Sequence, residues 1–162
     1  MGRKYTVSYQ GTITAAGGDT DLLEVLPADD KPCRLLSMTF SQISEVGDAA
    51  EEGLRISVLV LPATVTSGTG GSAVTPQVAG DSADAAAGFA AECNNTTIAT
   101  TTGTISTRRE YGWNIRNSPC EIIFAEPDRC PKAKQGEALV VRLQTTVADD
   151  LTGVFVFEVE EE

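Results

Sequence analysis

Residues 54–62 read Leu54-Arg55-Ile56-Ser57-Val58-Leu59-Val60-Leu61-Pro62, and this run decides the fold class. Leu54, Ile56, Val58 and Val60 recur at every second position, with Arg55 and Ser57 on the other parity. Period two is the period of a strand, and Val and Ile pack well on a pleated surface. Pro62 lacks the N–H that a ladder needs, so it closes the run. The run predicts a central strand.

The same parity extends in both directions from it. Tyr5, Val7, Tyr9 and Ile13 alternate with Thr6, Ser8, Gln10 and Thr12. A short strand over 21–26 ends at Pro27 and the polar turn Asp29-Asp30-Lys31-Pro32. From Cys33 onward, Leu36, Met38 and Phe40 face away from Ser37, Thr39 and Ser41, the pattern of a sheet with one wet side. Downstream, strands are expected over 93–101, 104–113, 120–125, 138–146 and 153–160. In the last two, Leu139, Val141 and Leu143 oppose Arg142 and Gln144, and Phe155, Phe157 and Val159 share a face. The stretch SEVGDAAEEG at 44–53 has no apolar stripe and is interrupted by Gly47, so it reads as a loop.

About eight strands with turn signals between them and no amphipathic helices predict an all-β, antiparallel two-sheet sandwich, with a jelly roll favoured by the number. At 162 residues the chain is expected to form a single domain over 1–162. The expected core includes Val7, Phe40, Ile56, Val58, Val141, Phe155 and Phe157. From 63 to 91 the composition shifts to Gly, Ser, Thr, Pro and Ala, around SGTGGS and GDSADAAAG. This predicts one long loop with at most a turn or two of helix over 81–89, and long loops inside compact domains tend to be functional.

Twelve Lys and Arg against 23 Asp and Glu give a formal net charge of −11. Such a chain repels phosphate backbones and anionic lipid, so neither nucleic acid nor a membrane is an expected partner. No stretch approaches the roughly 20 apolar residues of a membrane span. Residues 1–6 go straight into strand-like alternation without the apolar run of a secretory signal. Acidic residues crowd the end at Glu158, Glu160, Glu161 and Glu162.

Histidine is absent from the sequence, which removes Ser-His-Asp and Cys-His nucleophile activation and every His-bearing zinc site. Cys33, Cys93, Cys120 and Cys130 show no close pair of zinc-ligand spacing and read as buried thiols, with Cys120 and Cys130 the one pair near enough in sequence to raise a bridge. The loop Ser67-Gly68-Thr69-Gly70-Gly71-Ser72 lacks the lysine of a phosphate-binding P-loop. Asp19 and Asp21 behind Gly17-Gly18 are too few carboxylates for a calcium loop. The adjacent pairs Asp29/Asp30, Glu51/Glu52 and Asp149/Asp150 would point to opposite faces of a strand, which does not serve glycoside hydrolysis. Trp113, Tyr111 and Phe89 are expected in the core rather than as sugar platforms. Asn94 and Asn95 each begin an Asn-x-Thr sequon. No cofactor and no enzymatic activity are expected.

Several blocks together resemble small proteins encoded among the structural genes of tailed bacteriophages, beside the major capsid protein. They are the opening RKYTVSYQGTITAAGGDTDLLEVLPADDKPCRLLSMTFSQISEVGDAAEEGLRISVLV, the glycine loop SGTGGSAVTPQ, the stretch AAAGFAAECNNTTIATT and the closing LVVRLQTTVADDLTGVFVFEVEE. The resemblance covers most of the chain and carries no catalytic signature. The four cysteines depart from that pattern.

The resemblance implies a virion component, a jelly-roll decoration or cement protein made in the host cytoplasm that binds the outside of the head and bridges subunits of the major capsid protein. A homo-oligomer is expected, a trimer before a dimer, because a small protein gains grip on a lattice by multiplying contacts. Contact is expected through Gly2, Arg3 and Lys4, the one cationic pair near a terminus, and through the loop, at Ser67, Gly68, Thr69, Gly70, Gly71, Ser72 and Phe89. The alternative from another class is a carbohydrate-binding or adhesive module that recognises a cell surface, and a carboxylate enzyme stands third.

Overall fold

Each alternating run of the sequence becomes one strand with a dry side. The computed structural model of the chain describes residues 2–15, 17–43 and 52–162. Among them are fourteen strands: β1 (Arg3–Ile13), β2 (Thr20–Leu26), β3 (Cys33–Gln42), β4 (Gly53–Leu61), β5 (Val65–Thr66), β6 (Ser72–Ala73), β7 (Gln77–Val78), β8 (Ala90–Cys93), β9 (Thr100–Thr101), β10 (Ser106–Asn114), β11 (Cys120–Ile123), β12 (Lys132–Ala133), β13 (Ala138–Leu143) and β14 (Leu151–Glu161). A 3-10 turn occupies Pro127–Arg129, and no α-helix occurs among the described residues. The loop expected at 44–53 falls almost wholly outside them.

Eight of the strands form the frame. One sheet runs β11-β3-β14-β1 and the other β10-β4-β13-β2, every neighbour antiparallel. The first strand of the frame pairs with the last, and the second with the last but one. That is the double Greek-key winding of a jelly roll. The total of fourteen exceeds the expected eight because six short strands, of two to four residues, are appended to this frame or pair with one another.

All seven expected core residues are fully buried between the sheets. Phe40 lies at the centre, with ring centroids 5.6 Å from Trp113, 6.1 Å from Phe155 and 6.2 Å from Phe157. Edge-on rings at such distances gain on the order of 1 kcal/mol beyond their burial. In β3 the simple parity fails. A bulge opposite Glu158 and Val159 places Leu35 in the core and leaves Leu36 half-buried, because the extra residue shifts the alternation by one.

The second sheet also differs from expectation on its outer face. Ser57 and Arg142, which stand opposite the apolar parity of their strands, are buried, and Leu59, Leu61, Ala138 and Val140 form a second small core with Ala99 and Val65. The cover comes in part from the segment expected to be one long structureless loop, which brings Val65, and in part from the chain after β8, which brings Ala99. The first of these leaves β4, pairs β5 with β9 as a two-stranded flap, adds β6 to the edge of β8, crosses to the other sheet, and adds β7 to the edge of β1. Residues 63–91 are therefore a strap that helps to cover one sheet face and closes one side of the sandwich. The helix considered over 81–89 is a turn, closed by Asp84 N–H donating to the Asp81 carbonyl at 2.9 Å. The strand expected over 93–101 breaks after β8, where Asn94 takes φ 59°.

Candidate functional site

The strap and the segment after β8 are fastened by polar groups that β2 and β13 present on the outer face of the second sheet. A bulge between Val141 and Arg142 sends both Leu22 and Leu23 inward and sets Asp21 directly across from Arg142. Arg142 donates from Nε to Asp21 Oδ1 at 2.6 Å and from Nη2 to Oδ2 at 3.2 Å and to the Ala99 carbonyl at 2.9 Å. Ala99 N–H donates to Asp21 Oδ2 at 2.7 Å. Charge-assisted, two-pronged pairs of this kind are among the strongest available to side chains.

Three residues further along β2, Glu24 holds the glycine loop. Its Oε2 accepts from Gly68 N–H at 2.9 Å and from Asn95 Nδ2 at 3.1 Å. Asn95 Nδ2 also donates to Glu92 at 3.1 Å, and its Oδ1 accepts from Gly71 N–H at 3.2 Å. Burial, with Asp21 and Glu92 nearby, raises the Glu24 pKa above its ordinary value, although Gly68 N–H and the Ser67 hydroxyl pull it back. The other oxygen, Oε1, is buried with no hydrogen-bond partner.

The glycines of SGTGGS allow this close approach. A Cβ at Gly71 would overlap the Cys93 carbonyl oxygen, and Gly70 has φ 87°, which a side chain disfavours. Thr69 and Thr97 exchange both backbone hydrogen bonds at 2.9 Å, so the loop is tied as a bridge as well as by side chains.

The expected contact residues therefore fall in unlike places. Gly68 is buried, Ser67 half-buried, and Thr69, Gly70, Gly71 and Ser72 form the exposed tip of the strap. Phe89 is a core residue, 4% exposed and edge-on to Tyr5 at 5.5 Å, and presents no contact surface. Arg3 and Lys4 are exposed on β1 across from Glu161 and Glu160 of β14, and the Lys4 carbonyl accepts from Ala79 N–H beyond β7. The first set belongs to the second sheet and the second to the first sheet. The strap links them by chain.

The cysteines are free thiols, Cys120 and Cys130 included. Burial pushes Cys33 and Cys93 up to about 12, far from the range of a reactive thiolate. Asn95 of the second sequon is buried, and Asn94 Nδ2 donates to the Thr12 carbonyl at 3.3 Å. Among the described residues no group of three or more acidic or thiol side chains could hold a metal ion, and no helix is long and apolar enough to cross a membrane.

On the side of the sandwich away from the strap lies a feature that the sequence reading passed over. Arg108, Arg109, Asp128, Arg129, Pro131 and Lys132 line a cleft of about 300 Å³ between the edge of β10 and the segment leading to β12. Four of its lining residues are cationic on a chain of net charge −11. The Arg108-Arg109 pair was visible as a basic dipeptide, but only the 3-10 turn at Pro127–Arg129 brings Arg129 and Lys132 to it.

Compared with protein-family models, curated proteins and solved structures, the chain shows no significant match in any of the three.

Proposed function

We propose that this chain is a structural virion protein, a decoration or cement protein that binds the outside of a tailed-phage head and bridges subunits of the major capsid protein as a homo-oligomer, a trimer before a dimer. The winding of the frame, β11-β3-β14-β1 against β10-β4-β13-β2, carries the reading, because double-sheet jelly rolls recur in viral shell and lectin domains. The resemblance of the sequence blocks to phage structural proteins selects the first of these. The fastening of the strap supports the same reading: a body whose longest loop is tied down by Glu24 and Asn95 loses little entropy on docking. Shell contact is assigned to Gly2, Arg3, Lys4 and the exposed strap tip Thr69–Ser72.

Fold alone does not carry function, so the test is direct. Purified protein is mixed with assembled shells lacking it and co-sedimented, with Arg3→Ala/Lys4→Ala measured beside the parent. Saturable decoration that weakens in the variant supports the reading, and absence of decoration overturns it.

The lectin alternative has one observation in its favour. Tyr111 is half-exposed in a shallow groove of about 420 Å³ with Arg55 and Glu110, an aromatic face beside polar groups as sugars require. Trp113 and Phe89 are buried, so the platform is a single ring. Glycan-array binding without shell binding reverses the order of the two readings.

A further inference from the structure

We propose that the open side of the sandwich is a docking edge for an extended, carboxylate-bearing peptide segment, which adds as a strand to β10 and places its acidic side chains in the cleft formed by Arg108, Arg109, Arg129 and Lys132. This inference goes beyond the shell reading and does not depend on it.

The backbone supplies the first half of the argument. β10 is nine residues long, ends the order β10-β4-β13-β2-β8-β6, and has no strand on its outer edge among the described residues. Alternate residues of an unpaired edge offer their N–H and C=O to an incoming chain, which is the basis of strand addition. At the opposite end of the same sheet the edge is built up by β8 and β6.

Charge supplies the second half. In a regular strand Arg108 and Arg109 would point to opposite faces. The register of β10 on β4 slips between Thr107 and Arg109, so Arg108 is the extra residue of a bulge, and both arginines line one cleft. Arg109 Nη2 donates to the Arg129 carbonyl at 3.3 Å, which fixes the far wall against β10. Among the described residues Arg129 forms its ion pair with exposed Glu126, and Lys132 with Glu162. Exposed ion pairs of this kind are worth about 0–1 kcal/mol and exchange readily for a better-placed carboxylate.

Two arginines on an edge would by themselves suffice to keep copies from pairing edge to edge. A bulge that aims both into a cleft, with two further cations from the 3-10 turn and β12, exceeds that need. Cations on both walls of the cleft suit more than one carboxylate, and Ile105, 41% exposed just before β10, suits an apolar residue of the same incoming chain. Guanidinium forks match carboxylates in pairs.

The probe is an eight-residue peptide of alternating Glu and Val, measured by fluorescence anisotropy against the whole chain. Because N–H groups alternate between the two edges of a strand, two further peptides are methylated on nitrogen at every Glu or at every Val. Expected are saturable binding that weakens with salt, at least a tenfold loss in Arg108→Glu/Arg109→Glu, loss with one methylation pattern and retention with the other. Protection of β10 amides from hydrogen exchange by the peptide is expected as well. Both residues are exposed, so the variant should keep its melting temperature. Equal binding by both methylated peptides, unchanged affinity in the variant, or binding of a sulfated oligosaccharide at these arginines without binding of the peptide would each overturn the proposal.

Discussion

Arg142 and Asp21 face each other across β13 and β2 with Nε and Oδ1 2.6 Å apart, both buried, on the face of the sheet opposite the main core. Two charges withdrawn from water cost several kcal/mol each, and their attraction offsets this only when their remaining hydrogen bonds are met. Here Ala99 meets them, through its N–H and its carbonyl. The pair therefore works as a clasp between the sheet and the segment after β8 that carries Ala99. Arg142→Ala should cost about 3–5 kcal/mol because Asp21 is left buried and alone. Asp21→Leu/Arg142→Met should cost much less. Urea denaturation of the three proteins decides it, and a double variant as unstable as the single one would remove the clasp.

Val58 lies in the middle of β4 and is fully buried between the sheets. Val58→Asp places a carboxylate where no cation waits, so a loss of about 3–5 kcal/mol is expected. An unchanged melting temperature would contradict the placement of β4.

How much of this was legible in the sequence depended on what set the alternation. Strands whose apolar residues keep strict period two, such as β1, β4 and β14, were found within a few residues of their ends. Leu36 was misplaced because the bulge at β3 shifts parity, and a bulge adds a residue without changing composition; Arg142 keeps its parity on the outer face and is buried because another segment covers that face. The strap was missed for another reason. Gly, Ser and Thr over 63–91 signal an absence of regular structure, yet at Gly71 the lack of a side chain serves close packing on Cys93. Only Glu24 and Asn95, far apart in sequence, show which backbone the glycines approach. The cationic cleft needed both Arg109 and Arg129, and twenty residues separate them.

Gly71 offers the sharpest test of that strap. Gly71→Ala forces a methyl against the Cys93 carbonyl and lifts the N–H from Asn95 Oδ1. A loss of about 1–3 kcal/mol is expected, as for an overpacked site with a buried group left unpaired. Hydrogen exchange should quicken first at Gly68 and Thr69, with β13 unaffected. Uniform quickening, or none, would mean the loop is not docked in this way.

The thiols should divide by burial. Cys33 and Cys93, pushed up to about 12 by their surroundings, should resist alkylation at neutral pH until the chain unfolds, whereas the half-buried Cys120 reacts first. Mass spectrometry after brief iodoacetamide treatment reads the order. Early modification of Cys93 would show the strap opening in the native state.

Glu24 makes the stability of the strap depend on pH, with a sign that can be worked out. Burial raises its pKa above the ordinary 4.5, so the native state holds the proton more tightly than the unfolded chain does. The stability contributed by that proton is fully present below the unfolded value and is lost as pH rises through the native one. Glu24→Gln keeps an oxygen for Gly68 N–H and Asn95 Nδ2 and carries no charge. Its amide nitrogen takes the place of the unpartnered Oε1, which changes the offset between the two proteins but not its dependence on pH. Denaturation of parent and variant at intervals from pH 4 to pH 8 should therefore show the parent losing ground to the variant as pH rises. A parent that gains on the variant over that range would mean Glu24 is better satisfied as a carboxylate than its buried position on β2 allows.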